Sequence, residues 1–170
     1  MDNFNPGWYL LYTMSRHEKK IASRLHELTI DNFLPTARIL KERRGRKKWV
    51  DEPLFPSYLF IYLRSPSDYY AGSGVEGVWY YVRTGKKVAR VDERTIKDIR
   101  LLTTQGKDLE VSPDRYGPGK RLVVQRGALT GLSCEVVQSN GREKLLVRID
   151  LLQRNLLVTV PAESLACSYA

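Results

Sequence analysis

The side chains in this chain that could do chemistry are few, and their spacing rules out most of it. There are two histidines and two cysteines in 170 residues. His17 and His26 lie nine residues apart on one helix-like stretch, a spacing that gives no shared site, and both read as helix-surface residues. Cys134 and Cys167 form no C-x-x-C pair, so a zinc site has almost no ligands to draw on; both read as small apolar residues rather than as a bridge. Asp51 and Glu52 are adjacent, but neighbours on a strand face opposite sides and cannot work as a paired acid and base. "GSGVEG" (72–77) matches G-x-G-x-x-G letter for letter. That pattern binds a pyrophosphate only between a strand and a helix N-terminus, whereas "SPSDYYA" precedes it here and the strand-like "VWYYVR" follows. No P-loop, G-x-S-x-G or H-E-x-x-H occurs. The expectation is a protein without catalysis, cofactor or metal.

What remains is charge and aromatic rings. The formal net charge is +9, and it is unevenly placed: residues 1–106 hold 19 Lys/Arg against 12 Asp/Glu, residues 107–170 hold 9 against 7. "KERRGRKK" (41–48) alone carries six basic residues and one acidic, which suits phosphate contacts. A solvated hairpin tip kept soluble by charge is the alternative. The rings concentrate in "DEPLFPSYLFIYL" (51–63), where strand alternation puts Tyr58, Phe60 and Tyr62 on one face and Leu59, Ile61 and Leu63 on the other.

The elements that position these groups follow from periodicity. "WYLLYTM" (8–14) reads as a strand. A helix is expected from about 16 to 29, opened by a Ser15–Glu18 capping box and carrying Ile21, Ala22, Leu25 and Leu28 on one stripe. "FLPTARILKE" and "KKWVDE" read as a hairpin turning at Gly45, and 57–64 as the next strand. A Gly/Ser-rich loop, the strand 78–83, and a helix with Ile96, Ile99 and Leu102 or Thr103 on one face complete a first domain, 1–106. Two helices can cover one face of such an antiparallel sheet, so the aliphatic set should floor the helices and the aromatic face should be bare, unless a second domain or a second copy covers it.

Residues 107–118 lie in a Gly/Pro-rich stretch without periodicity and read as a linker. Residues 119–170 show short strands and Gly turns, Asn140-Gly141 among them, and suggest a small antiparallel barrel. The segment 142–153 also fits a helical stripe, but strand is the better reading. The fold class is α+β followed by a small all-β SH3-like barrel. No apolar run approaches the roughly 20 residues of a membrane span, and the N-terminus lacks a signal-peptide pattern, so a cytoplasmic protein without membrane contact is expected.

Four segments in order, "WYLLYTMSRHEKKIASRL", "EPLFPSYLFIYL", "GVWYYVRTGKKVARV" and "VVQRGALTGLSCEVV", resemble the NusG family of transcription elongation factors, with an NGN domain followed by a KOW domain. The resemblance is closest to the specialised paralogs of the RfaH and UpxY kind, because "EPLFPSYLF" has Ser57 where general members have Pro-Gly-Tyr. It implies that the sheet face binds the clamp helices of the RNA polymerase β′ subunit. The matching positions are Leu10, Tyr12, Phe55, Tyr58, Phe60, Tyr81, Ile96 and Ile99, of which Leu10, Ile96 and Ile99 also read as ordinary core. It also implies contact with the non-template DNA strand in the transcription bubble. Lys20 and Arg24 match by register, with His17 close by; Arg43, Arg44, Arg46 and Lys47 on the hairpin tip are the added phosphate contacts. The segment "SDYYAGSG" lacks the His-Thr run that RfaH uses to reach the opposite pincer of the polymerase, although Tyr69 and Tyr70 could stack on a base or pack on protein. Through the KOW domain the family meets Rho or a small-subunit ribosomal protein, and in RfaH that domain can become a helical hairpin masking the NGN face, with an acidic position matching Glu52 helping to hold it. The turn-rich pattern here predicts a barrel and no mask. A monomeric, antiterminating factor is the leading expectation; an RNA- or ribosome-binding KOW protein is the alternative.

Overall fold

The computed structural model describes residues 4–106 and 108–159. The chain divides into two units between Glu93 and Arg94.

The first unit is organised around β1 (Gly7–Thr13), which pairs antiparallel with β5 (Tyr58–Leu63) on one side and with β6 (Val78–Tyr81) and β9 (Arg90–Val91) on the other. The short β2 (Asn32–Phe33) adds to the outer edge of β5. As expected from alternation, Leu59, Ile61 and Leu63 point to the helix side. There they join Tyr9, Leu11 and Tyr81 from the sheet with Ile21 and Leu25 of α1 (Glu18–Glu27) in one core. Between β2 and β5 the chain leaves the main sheet as a separate hairpin, β3 (Thr36–Arg43) and β4 (Arg46–Pro53). Its two-residue turn, Arg44 and Gly45, has positive φ at both positions, 52° and 73°, the geometry that matches strand twist in tight hairpins.

Two local expectations change. The Ser15–Glu18 capping box does not form: α1 starts after His17, which makes no side-chain cap, and the Glu18 carboxylate is buried against the chain elsewhere. The loop expected before residue 78 contains a helix, α2 (Pro66–Ser73). Ser65 accepts from the Asp68 N–H, Asp68 accepts from the Ser65 N–H, and Pro66 occupies the first turn, where its missing donor costs nothing. The "GSGVEG" glycines serve packing. A Cβ on Gly72 would lie 2.5 Å from the Tyr81 hydroxyl oxygen, and Gly77 has φ 94°.

Beyond β6 come β7 (Arg83–Thr84) and β8 (Lys87–Val88), a two-stranded hairpin. The second unit comprises α3 (Glu93–Gln105) from Arg94 onward and a five-stranded antiparallel sheet in the order β10-β14-β13-β12-β11. These strands are β10 (Glu110–Ser112), β11 (Lys120–Val123), β12 (Ser133–Ser139), β13 (Arg142–Ile149) and β14 (Arg154–Thr159). The helix expected in the first piece thus groups by contacts with the second, and part of the expected linker is an edge strand. Segment 142–149 is strand, paired on both sides; only Asp150–Leu152 turns helical, as a single 3₁₀ turn. Asn140 and Gly141, φ 52° and 72°, make the β12–β13 turn. Cys134 is buried, and burial, with Asp98 and Glu135 nearby, pushes its thiol up to about 12, so it is an inert small apolar residue. Cys167 lies outside the described residues.

A bidentate ion pair joins β12 to β13. Arg148 donates from Nε to Glu135 Oε1 at 3.0 Å and from Nη2 to Oε2 at 2.9 Å, and the Gly119 N–H donates to the same carboxylate at 3.0 Å. The Arg148 bond, then the Gly119 bond, hold the Glu135 carboxyl below the usual carboxylate range against an opposing burial penalty. A carboxyl with a lowered folded pKa contributes stability that is complete above its unfolded value, about 4.3, and is lost as the pH falls below it. Urea unfolding at pH 7 and pH 3 should therefore show a smaller acid loss in Glu135→Gln than in the parent; equal losses would remove this pair from the acid response.

Candidate functional site

The aromatic face of the sheet divides into a sealed end and an open end. At the sealed end Phe60 stacks on Phe33 with centroids 6.0 Å apart and meets Phe55 edge-on at 6.4 Å, while Leu10 lies opposite Phe60 in register. Leu10 and Phe60 are fully buried and Phe55 nearly so. The expectation of a bare face fails here, since Leu10, Phe55 and Phe60 are all buried. Tyr81 points to the helix side, stacked on Tyr69 at 4.4 Å with its hydroxyl donating to the Tyr69 carbonyl; burial pushes its phenol well above the usual range. Ile96 and Ile99 are buried on α3 in the second unit. Six of the eight residues expected at a protein interface therefore present almost no surface.

The open end keeps the other two. Tyr12 and Tyr58, half-buried, sit opposite each other on β1 and β5 with ring centroids 5.3 Å apart, and Tyr80 on β6 stacks on Tyr12 at 5.0 Å. Tyr80 is 54% exposed and its neighbour Trp79 is 65% exposed. These rings, with Tyr69, Ser73 and Arg83, line an open cleft of about 520 Å³. Edge-to-face and offset rings attract by about 0.5–1.5 kcal/mol beyond their buried area, so the three tyrosines form a pre-ordered ladder. Sequence alternation marks Tyr12 and Tyr58; on β6 the resemblance pointed to Tyr81, whereas the register pairs its neighbour Tyr80 with Tyr12. The register shift between Tyr12 and Thr13 leaves Trp79 without an opposite residue on β1.

The entry to this ladder is set by Glu18. Its Oε1 accepts the Ser57 backbone N–H at 2.7 Å, where the chain turns into β5. Ser57 has φ 68°, a left-handed conformation that costs a non-glycine residue about 1–2 kcal/mol. The bond satisfies a donor that would otherwise be partly buried without a partner, and it holds the turn that delivers Tyr58.

The cations expected to meet nucleic acid fall into two groups. On α1, Lys20 lies 3.7 Å from Glu76 and Arg24 2.5 Å from Glu27, both exposed pairs of the weak kind. His17 is half-buried at the helix start with Nδ1 3.1 Å from the Ser15 carbonyl. Lys19 donates to the Asp51 carbonyl at 2.7 Å, tying the helix to β4. On the hairpin, Arg43, Arg44 and Arg46 line an open concavity of about 590 Å³. Lys47 is turned to the other face, across from Glu42, and Lys41 and Lys48 take its place. Glu52 is paired with Lys41 within the hairpin. Among the described residues no cluster of His, Cys, Asp or Glu could hold a metal, and no helix is long and apolar enough to cross a membrane.

A family model described as transcription termination factor NusG matches residues 6–100. The chain belongs to the NusG family. The transcription termination/antitermination protein NusG of Lactococcus lactis subsp. lactis (strain IL1403) is 28% identical over 175 residues, covering 89% of this chain and 88% of that protein. The protein of the same name from Streptococcus pyogenes serotype M1 is 24% identical over 161 residues, covering 88% and 90%. A solved structure described as domain interaction in Thermotoga maritima NusG shares 19% identity at a TM-score of 0.49, covering 91% of this chain and 93% of that one.

Glu18→Ala should lower stability by about 1–3 kcal/mol, the cost of an unsatisfied buried donor, with a milder loss in Glu18→Gln, which keeps an acceptor. Ser57→Gly should raise stability by up to about 1 kcal/mol, since relief of left-handed strain exceeds the added chain entropy of about 0.5–1 kcal/mol. Thermal unfolding of the three variants checks both.

Proposed function

We propose that this NusG-family chain is a transcription elongation and antitermination factor of the specialised kind. It acts without catalysis, binding the β′ clamp helices of RNA polymerase through the open end of its aromatic face and the non-template DNA strand through its basic rim. Residues 1–106 are the NGN domain and 119–170 a KOW domain folded as an SH3-like barrel, the part that meets Rho or a ribosomal protein. The family membership supports the class of function. The observation that carries the assignment of the face is the Tyr12–Tyr58–Tyr80 ladder, three rings ordered against one another yet left accessible in a chain whose neighbouring phenylalanines are sealed. Pre-ordered tyrosines are effective anchors because little side-chain entropy remains to be lost on binding.

A pull-down of core RNA polymerase by the full chain and by Tyr12→Ala/Tyr58→Ala/Tyr80→Ala tests this. Truncating interface anchors costs about 2 kcal/mol or more each, so the variant should lose binding while keeping its folded circular-dichroism spectrum. Undiminished capture by the variant would overturn the assignment of this face.

A further inference from the structure

The β3–β4 hairpin separates its charges by face, and the separation works against its own stability. In register, Arg38 opposes Asp51, Leu40 opposes Trp49 and Glu42 opposes Lys47. That face sets opposite charges and an apolar pair across the strands, with the Arg38 guanidinium 5.7 Å from the Trp49 ring. On the other face Lys41 opposes Lys48 and Arg43 opposes Arg46. Like charges directly across a strand pair destabilise it, by about 0.2–1 kcal/mol each. Glu52 neutralises Lys41, but among the described residues Arg43, Arg44, Arg46 and Lys48 are joined to no carboxylate. Nor is there a ring on that face; beyond the cations it carries Ala37, Ile39 and Val50.

We propose that this face is an arm for the phosphate backbone of double-stranded DNA, and that this polyanion offsets the like-charge repulsion across the two strands and so stabilises their pairing. The inference rests on reading the hairpin as part of the nucleic-acid rim and names the form of DNA it takes. A surface for single strands interleaves cations with rings on which bases stack; a face of cations and aliphatics reads charge and spacing. A two-stranded ribbon is also a shape that the major groove of a duplex admits. The phosphates supply the countercharge that the hairpin lacks, so binding and strand pairing are coupled.

The coupling predicts that one substitution moves stability and binding in opposite directions. Arg46→Glu turns the repulsive pair with Arg43 into an attractive one. In the full chain without DNA, amide exchange across β3 and β4 should slow about twofold to tenfold, the range that cross-strand pair energies allow. On a 20-base-pair duplex of arbitrary sequence, fluorescence anisotropy should show weaker binding, with the slope of log affinity against log salt reduced by about one unit per lost phosphate contact. The single strand of the same sequence should bind the parent chain less tightly than the duplex and be less affected. Faster exchange in Arg46→Glu, an unchanged duplex slope, or an equal effect on the single strand would each overturn the proposal. Polymerase capture by the tyrosine ladder is read separately, so undiminished capture by the triple-alanine chain with the duplex results as expected leaves this inference standing, and lost capture with failed duplex results leaves the ladder standing.

Discussion

The accessible surface of the first unit depends on the hydrogen bond from the Ser57 backbone to the Glu18 carboxylate. It joins the first turn of α1 to the turn before β5, two segments far apart in sequence. Because strand side chains alternate with period two, a slip of one residue in β5 would exchange Leu59, Ile61 and Leu63 with Tyr58, Phe60 and Tyr62. The aliphatic floor beneath α1 would then become a row of rings, and the tyrosine ladder would disappear into the core. A charge-assisted bond to a strained backbone position fixes the start of the strand and so excludes the slip. The same requirement explains why Glu18 does not close a capping box with Ser15. Capping an exposed helix end is worth about 1 kcal/mol, and water serves that donor almost as well; a donor beside the core has no such substitute.

Much of this was legible in the sequence where the rule is local and periodic. The alternation in 58–63, the hairpin around Gly45 and the Asn140-Gly141 turn appear as read; of the stripe Ile21, Ala22, Leu25 and Leu28, Ile21 and Leu25 are buried, but the helix ends at Glu27 and Leu28 beyond it is exposed. The strand at 142–149 also appears as read, although its leucines also fit a helix, because its pairing on both sides decides between the two periods. The helix at Pro66–Ser73 was legible but masked by its glycines and serines; Ser65, Pro66 and Asp68 together are a helix start. What could not be read locally was burial. Phe60 and Tyr58 stand two residues apart on the same face, yet one is sealed and the other half-buried, a difference set by packing from other segments, Phe33 and Phe55 among them. The placement of Tyr80 opposite Tyr12 depends on the register of β6 against β1, which alternation within β6 alone does not give.

The basic run shows a similar limit. Composition puts Arg43, Arg44, Arg46 and Lys47 together as one patch. Pairing redistributes them, sending Lys47 to the face that carries Glu42 and bringing in Lys41 and Lys48. A count of charges gives the attraction to a polyanion, but only the register tells which cations act together and which are already neutralised.

The distribution of ring types along the face follows from the need to be stable alone and adhesive to a partner. A phenylalanine left in water contributes an apolar patch that any other apolar surface can cover, and Phe33 and Phe55 both pack against the buried Phe60. A tyrosine offers nearly the same ring with a hydroxyl that water satisfies, and so can remain accessible without promoting self-association. Tyr12, Tyr58 and Tyr80 occupy the positions at which the sheet is open. Their mutual contacts restrict rotation of the rings before any partner arrives, which reduces the ordering cost of binding and leaves more of the buried ring area to act as affinity. A phenylalanine ladder at the same positions would gain burial on binding but would expose its apolar edges in the free chain, so the tyrosines are the arrangement that keeps the face both open and specific.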